Sequence, residues 1–149
     1  MRAIYFDMDG TIANLYGIEN WLAYLEAEEV TPYICAKPLC NMSLLARYIN
    51  KLQQSGYHIG IVSWTSKCGT EEYNSAVSEA KMKWLATHLR SVHFDECKII
   101  DYGTSKRTVV EYPGGILFDD EERNRKEWAS GDGLAFDVDN ILAILKAML

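Results

Sequence analysis

The chain is short of several things that would mark a particular class of protein. It has three prolines in 149 residues and no low-complexity tract, which leaves no room for a long linker. No run of about 18 apolar residues occurs, so a membrane-spanning helix is excluded. The four cysteines, Cys35, Cys40, Cys68 and Cys97, fall at no zinc-like pair spacing. No secretory leader is expected either, because an acid arrives by position 7. Reduced thiols in a cytoplasmic protein follow from both absences. Bases are also in the minority, 15 Lys and Arg against 21 Asp and Glu for a net charge of −6. A broad nucleic-acid-binding face is therefore not expected. An acidic chain still acts on phosphates where a metal supplies the positive charge.

What is present points to one domain over residues 1–149, with 48% apolar and 11% aromatic residues. Five segments rich in Ile, Val, Phe and Tyr, at 3–7, 59–64, 98–102, 115–120 and 134–138, read as strands. They are near-continuous apolar runs, the pattern of strands covered on both faces. Helical stripes alternate with them. Ile18, Trp21, Leu22 and Leu25 form one, Leu44, Leu45, Tyr48, Ile49 and Leu52 a second, and Tyr73, Ala76, Val77, Ala80, Trp84 and Leu85 a third. A short helix is expected after Asp120, and a last one, capped by Asp139, carries Leu142, Leu145 and Leu149. Residues 31–41 read as irregular. Strand alternating with helix predicts an α/β fold, a doubly wound parallel five-stranded sheet with helices on both faces and its site at the carboxyl ends of the strands.

The polar residues gather at those ends. The first strand runs into Asp7-Met8-Asp9-Gly10-Thr11, the second into Ser63-Trp64-Thr65, the third into Gly103-Thr104-Ser105-Lys106, and the fourth into Asp119-Asp120. Four carboxylates, hydroxyls and an ammonium on one rim suit a divalent cation and a phosphoryl group. With a magnesium ion and Lys106 the rim still carries one net negative charge, so a phosphate dianion enters only if one carboxyl stays protonated, and Asp9 is the expected one. Lys67, which follows the second strand at the same edge, is the alternative to Lys106. A helix-loop-helix calcium site is excluded, because Ile12 and Ile18 stand where it needs Gly and Glu.

DMDGT after the first strand, the IVS of residues 61–63, a lysine after the third strand and FDD at 118–120 together resemble the haloacid dehalogenase (HAD) superfamily of aspartate-nucleophile phosphatases. The resemblance covers most of the chain and implies a Rossmann-like core and magnesium-dependent hydrolysis of a small-molecule phosphomonoester through an aspartyl-phosphate. It makes Asp7 the nucleophile and Asp9 the general acid and base. Ser63 and Lys106 hold phosphoryl oxygens, with Gly10, Thr11 and Trp64 at the phosphate loop; the Trp64 ring either stacks on a base or sugar of the substrate or packs. Asp7, Asp119, Asp120 and the Asp9 carbonyl hold the metal. The insert between the first two motifs, about residues 14–40, leaves a minimal cap, a small helical flap that admits a bulky leaving group or is closed by a second subunit of a homo-oligomer. The residues around YGTSK and FDDEERN resemble the nucleotidase-like, phage-type branch, which implies nucleoside monophosphates. The phosphate of a polynucleotide end, or a phospho-accepting module without turnover, is the alternative. The receiver type of such a module places its acceptor at the third strand, so the motif order disfavours it.

Overall fold

The computed structural model describes residues 2–149. In chain order the elements are β1 (Ala3–Phe6), β2 (Ala13–Asn14), α1 (Trp21–Glu26), α2 (Thr31–Cys35), β3 (Lys37–Pro38), α3 (Met42–Gln54) and β4 (His58–Trp64). There follow α4 (Glu71–His88), β5 (Glu96–Ile100), β6 (Ile116–Phe118), α5 (Glu122–Ala129), β7 (Leu134–Phe136) and α6 (Ile141–Met148). The five predicted strands form one all-parallel sheet in the order β5-β4-β1-β6-β7. The chain winds outward from β1 in both directions, so the crevice at the switch point opens over the carboxyl ends of β1, β4 and β6.

Alternation along the strands divides the core between the two faces. Ile4, Phe6, Ile59, Ile61 and Phe118 pack with Leu45, Ile49 and Leu52 of α3, Trp84 and Leu85 of α4, and Ile141 and Leu145 of α6. Ala3, Tyr5, Val62 and Leu117 face the other way, onto Val110 and Trp128 of α5. Gly60 is required by the second layer, since a Cβ there would stand 2.6 Å from the Tyr5 ring. Both faces are thus covered, as the continuous apolar runs predict. Among the described residues no helix is long and apolar enough to cross a membrane.

Between β1 and α3 the structure departs from the sequence reading. The stripe of Ile18, Trp21, Leu22 and Leu25 does not make a core helix. α1 spans six residues, none of them buried, and Leu22 is 52% exposed. The stretch from 31 is not irregular: Pro32 sits in the first turn of α2, where its missing N–H leaves no helical bond unmade. β2 and β3 pair antiparallel, Ala13 with Pro38 and Asn14 with Lys37. This ribbon returns the chain beside its point of departure. The segment docks on the first half of α4 through Leu15, Tyr33, Tyr73, Val77 and Ala80. Four hydrogen bonds fasten it, from Tyr73 Oη to Glu29 O (2.8 Å), from Thr70 Oγ1 (2.6 Å) and Thr70 N (3.0 Å) to Glu28 Oε1, and from Trp84 Nε1 to Ala36 O (2.8 Å). At the other end Asp139 does not cap α6; it lies in a 3-10 turn whose first residue, Val138, donates to Asp137 instead.

Candidate active site

Three strand ends and the turn after β1 build the rim. Asp7 continues β1, donating its N–H to Phe118 O at 2.9 Å, and Asp119 continues β6, donating to Phe136 O at 3.2 Å. The chain then turns tightly: Thr11, Ile12 and Ala13 donate their N–H groups back to Met8 O, and Gly10 donates forward to Ala13 O. Gly10 takes φ +76°, and a Cβ on it would stand 2.3 Å from Asp120 Oδ2, so both the turn and the acid opposite require glycine. Thr11 ties the two loops together: its hydroxyl donates to Asp7 Oδ2 (3.1 Å) and accepts from Asp120 N (3.3 Å).

Asp7, Asp119 and Asp120 each offer an oxygen within 4.8 Å of the others. Lys106, in a 3-10 turn and 4% exposed, bridges two of them, with Nζ 3.0 Å from Asp7 Oδ1 and 2.7 Å from Asp119 Oδ2. Lys67 makes no such contact; its Nζ lies 5.9 Å from the centre of the Tyr102 ring. Asp119 is fastened further by Glu121 N at 2.9 Å and Asn124 Nδ2 at 3.2 Å. Burial and then the charge of Asp7 push Asp119 up to about 6. Burial, Asp7 and Asp119 push Asp120 up to about 8. Burial would release the Lys106 proton, but the carboxylates of Asp7 and Asp119 outweigh it and hold this ammonium above its ordinary value. Like charges pressed together in a poorly solvated rim are a receptor for a small divalent cation.

Asp9 stands apart from this cluster. Its Oδ2 accepts from the Nζ of Lys81 at 2.8 Å, and burial, opposed chiefly by Lys81, raises its carboxyl above the usual range. Lys81 is 1% exposed and also donates to Ser63 Oγ (2.8 Å) and Trp64 O (2.7 Å). The sequence reading passed over it. The available signal was its spacing, four residues after Val77 and four before Leu85, which puts a lysine in the buried stripe of α4. Its charge adds to that of Lys106, so two ammonium groups stand against the four carboxylates of the rim.

Trp64 follows Ser63 at the rim, and its indole N–H donates to Thr104 O at 2.9 Å. The ring forms a wall, 4.8 Å from Tyr102 and flanked by Lys106 and Arg123. Tyr16 and Trp21 meet edge to face at 4.9 Å and line the same cleft, of about 230 Å³, with Tyr33, Asp7, Asp9 and Asp120. The α1 stripe that reads as core is therefore part of this cleft, with Leu22 and Leu25 beside Trp21.

No protein-family model matches the sequence, and no curated protein matches it. Solved structures do. The chain resembles D,D-heptose 1,7-bisphosphate phosphatase from Burkholderia thailandensis with a TM-score of 0.62 at 14% identity, over 99% of this chain and 98% of that one. It resembles the corresponding phosphatase from B. bronchiseptica, complexed with magnesium and phosphate, with a TM-score of 0.54 at 16% identity over the same shares. What this chain shares with both, over almost its whole length, is the fold: a five-stranded parallel α/β sheet with helices on both faces.

Proposed function

We propose that the chain is a magnesium-dependent phosphomonoesterase of the haloacid dehalogenase type, working through an aspartyl-phosphate on Asp7. The observation that carries this reading is the convergence of Asp7, Asp119 and Asp120 on one small volume, bridged by Lys106, with a second acid, Asp9, open to the same cleft. The oxygen-only donor set and its crowded negative charge fit magnesium, held by the three carboxylates and the Asp9 carbonyl. When bound, that ion supplies positive charge against the carboxylates and the phosphoryl oxygens.

The chain's own groups do the rest. Asp7 attacks phosphorus in line, the ester P–O bond breaks, and Asp9 delivers a proton to the leaving oxygen. Asp9 then takes a proton from water, whose oxygen attacks phosphorus, breaks the bond to Asp7 and frees inorganic phosphate. Lys106, Ser63 and the loop at Gly10 and Thr11 hold the non-bridging oxygens, so that positioning and charge supply most of the rate.

For the leaving group the reading is a nucleoside monophosphate. Its support is the aromatic lining of the cleft, Trp64 and Tyr102 with Tyr16, Trp21 and Tyr33, on which a flat base stacks. Residues 14–40 serve as the cap of this single domain, and the free cysteines suit a cytoplasmic location. The test is phosphate release with magnesium from nucleoside monophosphates, sugar phosphates including heptose bisphosphate, and 5′- or 3′-phosphorylated oligonucleotides, with Asp7→Asn as blank. Preference for the mononucleotides is expected. Preference for a sugar phosphate or an oligonucleotide end would overturn the substrate class alone, whereas no release from any ester, or equal release by Asp7→Asn, would overturn the activity.

A further inference from the structure

A lysine with 1% of its surface exposed, on the buried face of an 18-residue helix, is an expensive thing to fold. Lys81 is compensated by using every donor it has: Asp9 Oδ2 at 2.8 Å, Ser63 Oγ at 2.8 Å and Trp64 O at 2.7 Å account for the three N–H bonds of its ammonium. It has neither a spare donor nor an open face to offer a substrate. Two of its three partners are side chains to which the phosphatase reading gives chemistry. From these contacts we infer that Lys81 is a positioning residue, which fixes the oxygen of Asp9 that exchanges the proton and aims the Ser63 hydroxyl at the phosphoryl group.

Both parts follow from hydrogen-bond direction. Asp9 Oδ2 is engaged by Lys81, so Oδ1 is the oxygen left for the leaving group and then for water, and Asp9 lines the cleft. Ser63 Oγ accepts from Lys81, which leaves its own hydrogen to be donated to a phosphoryl oxygen. Lys81 also sits where α4 changes partners. Val77 and Ala80 before it pack on the 15–33 segment, and Trp84 and Leu85 after it pack on the sheet side. Tyr33, which lines the cleft, lays its ring 5.4 Å from the ammonium. One buried cation thereby holds the first strand end, the second strand end and the flap in register.

This inference rests on the phosphatase reading, and the test separates the two. It compares kcat/KM for a nucleoside 5′-monophosphate, whose alkoxide must be protonated as it leaves, with kcat/KM for 4-nitrophenyl phosphate, whose phenolate leaves without a proton. Lys81→Met is expected to lose about 100-fold on the first ester and less than about tenfold on the second. Asp9→Asn should show the same split. The pair Lys81→Met with Asp9→Asn should be less than about tenfold slower than Asp9→Asn alone, the part that runs through Ser63, and not slower by a further factor of about 100, since the larger part of the effect runs through Asp9. This pair leaves no unmatched buried charge, so it answers the question even where Lys81→Met does not fold. Equal losses on both esters, no loss on either, or additive losses in the pair overturn the role of Lys81 and leave the phosphatase reading standing. A wild-type chain that cleaves neither ester overturns both.

Discussion

The two ends of the central sheet each carry a polar cluster, and they are built on opposite plans. At the amino end His58, Glu96 and Glu111 offer ligand atoms within 4.8 Å of one another, as Asp7, Asp119 and Asp120 do at the carboxyl end. At the amino end one carboxylate serves several donors. Glu96 Oε1 lies 2.9 Å from His58 Nε2, accepts from the Tyr5 hydroxyl, and receives Glu111 N at 3.3 Å. Tyr5 is held protonated well above its ordinary range by burial and by the carboxylate it donates to. That cluster closes on itself. At the carboxyl end acids meet acids, with Lys106 bridging only two of them, and the surplus negative charge raises Asp119 and Asp120. A cluster in which donors match acceptors holds strands together, whereas one with unmatched like charges is a place for a cation.

The sharpest way to break this contrast is to remove one acid from each end. Asp7→Asn is expected to lower kcat/KM by at least about 10³-fold, because it removes the proposed nucleophile and one of the three carboxylates proposed to hold magnesium. Glu96→Gln should leave kcat/KM unchanged and lower the unfolding free energy by about 1–3 kcal/mol, read in denaturant melts. A loss of turnover from Glu96→Gln with stability intact would erase the distinction between the two ends.

A smaller effect is expected from the metal, and its sign with pH is fixed. Asp119 at about 6 and Asp120 at about 8 lie above the value of about 3.9 for an unfolded aspartate, so the metal-free fold binds more protons than the unfolded chain. The stability that these protons provide is fully present below about pH 4 and is lost as pH rises through 6 and 8. Magnesium requires the carboxylates bare. Its stabilisation, about 2.7 kcal/mol at a hundredfold excess over Kd, should be seen in thermal melts at pH 8.5 and shrink at pH 5.5. Asp120→Asn should flatten that dependence, and a magnesium shift that grows toward low pH would contradict it.

The smallest effect concerns the cleft wall. Trp64→Leu is expected to raise KM for a nucleoside monophosphate by about tenfold, within the range of a lost base-stacking contact, and to leave KM for glycerol phosphate unaffected. Equal changes for both would mean that Trp64 only shapes the phosphate loop.

The sheet and the rim were legible in the sequence for a physical reason. Strands buried on both faces must be continuously apolar, so Asp7, Ser63 and Asp119 stand out as polar residues at the ends of such runs. Lys106 was legible by its place after the third strand. The periodicity at Ile18, Trp21, Leu22 and Leu25 was present too, but a stripe records an apolar face and not what covers it, and here Trp21, Leu22 and Leu25 line a cleft. Pro32 misled in the other direction, since a proline that breaks a helix interior also starts a helix well. Lys81 went unseen because its two side-chain partners lie 72 and 18 residues away in sequence. Only the fold reveals that the one charged residue in the α4 stripe meets the acid after β1.

The central claim, that Asp7 carries the phosphoryl group, is tested most directly by quenching the enzyme in acid during turnover and reducing it with borohydride. This treatment converts a phosphorylated aspartate to homoserine, which peptide mapping then locates. Homoserine at position 7, absent without substrate, is the predicted result. Homoserine at position 9 or elsewhere, or an unmodified position 7 in enzyme caught turning over, would contradict it.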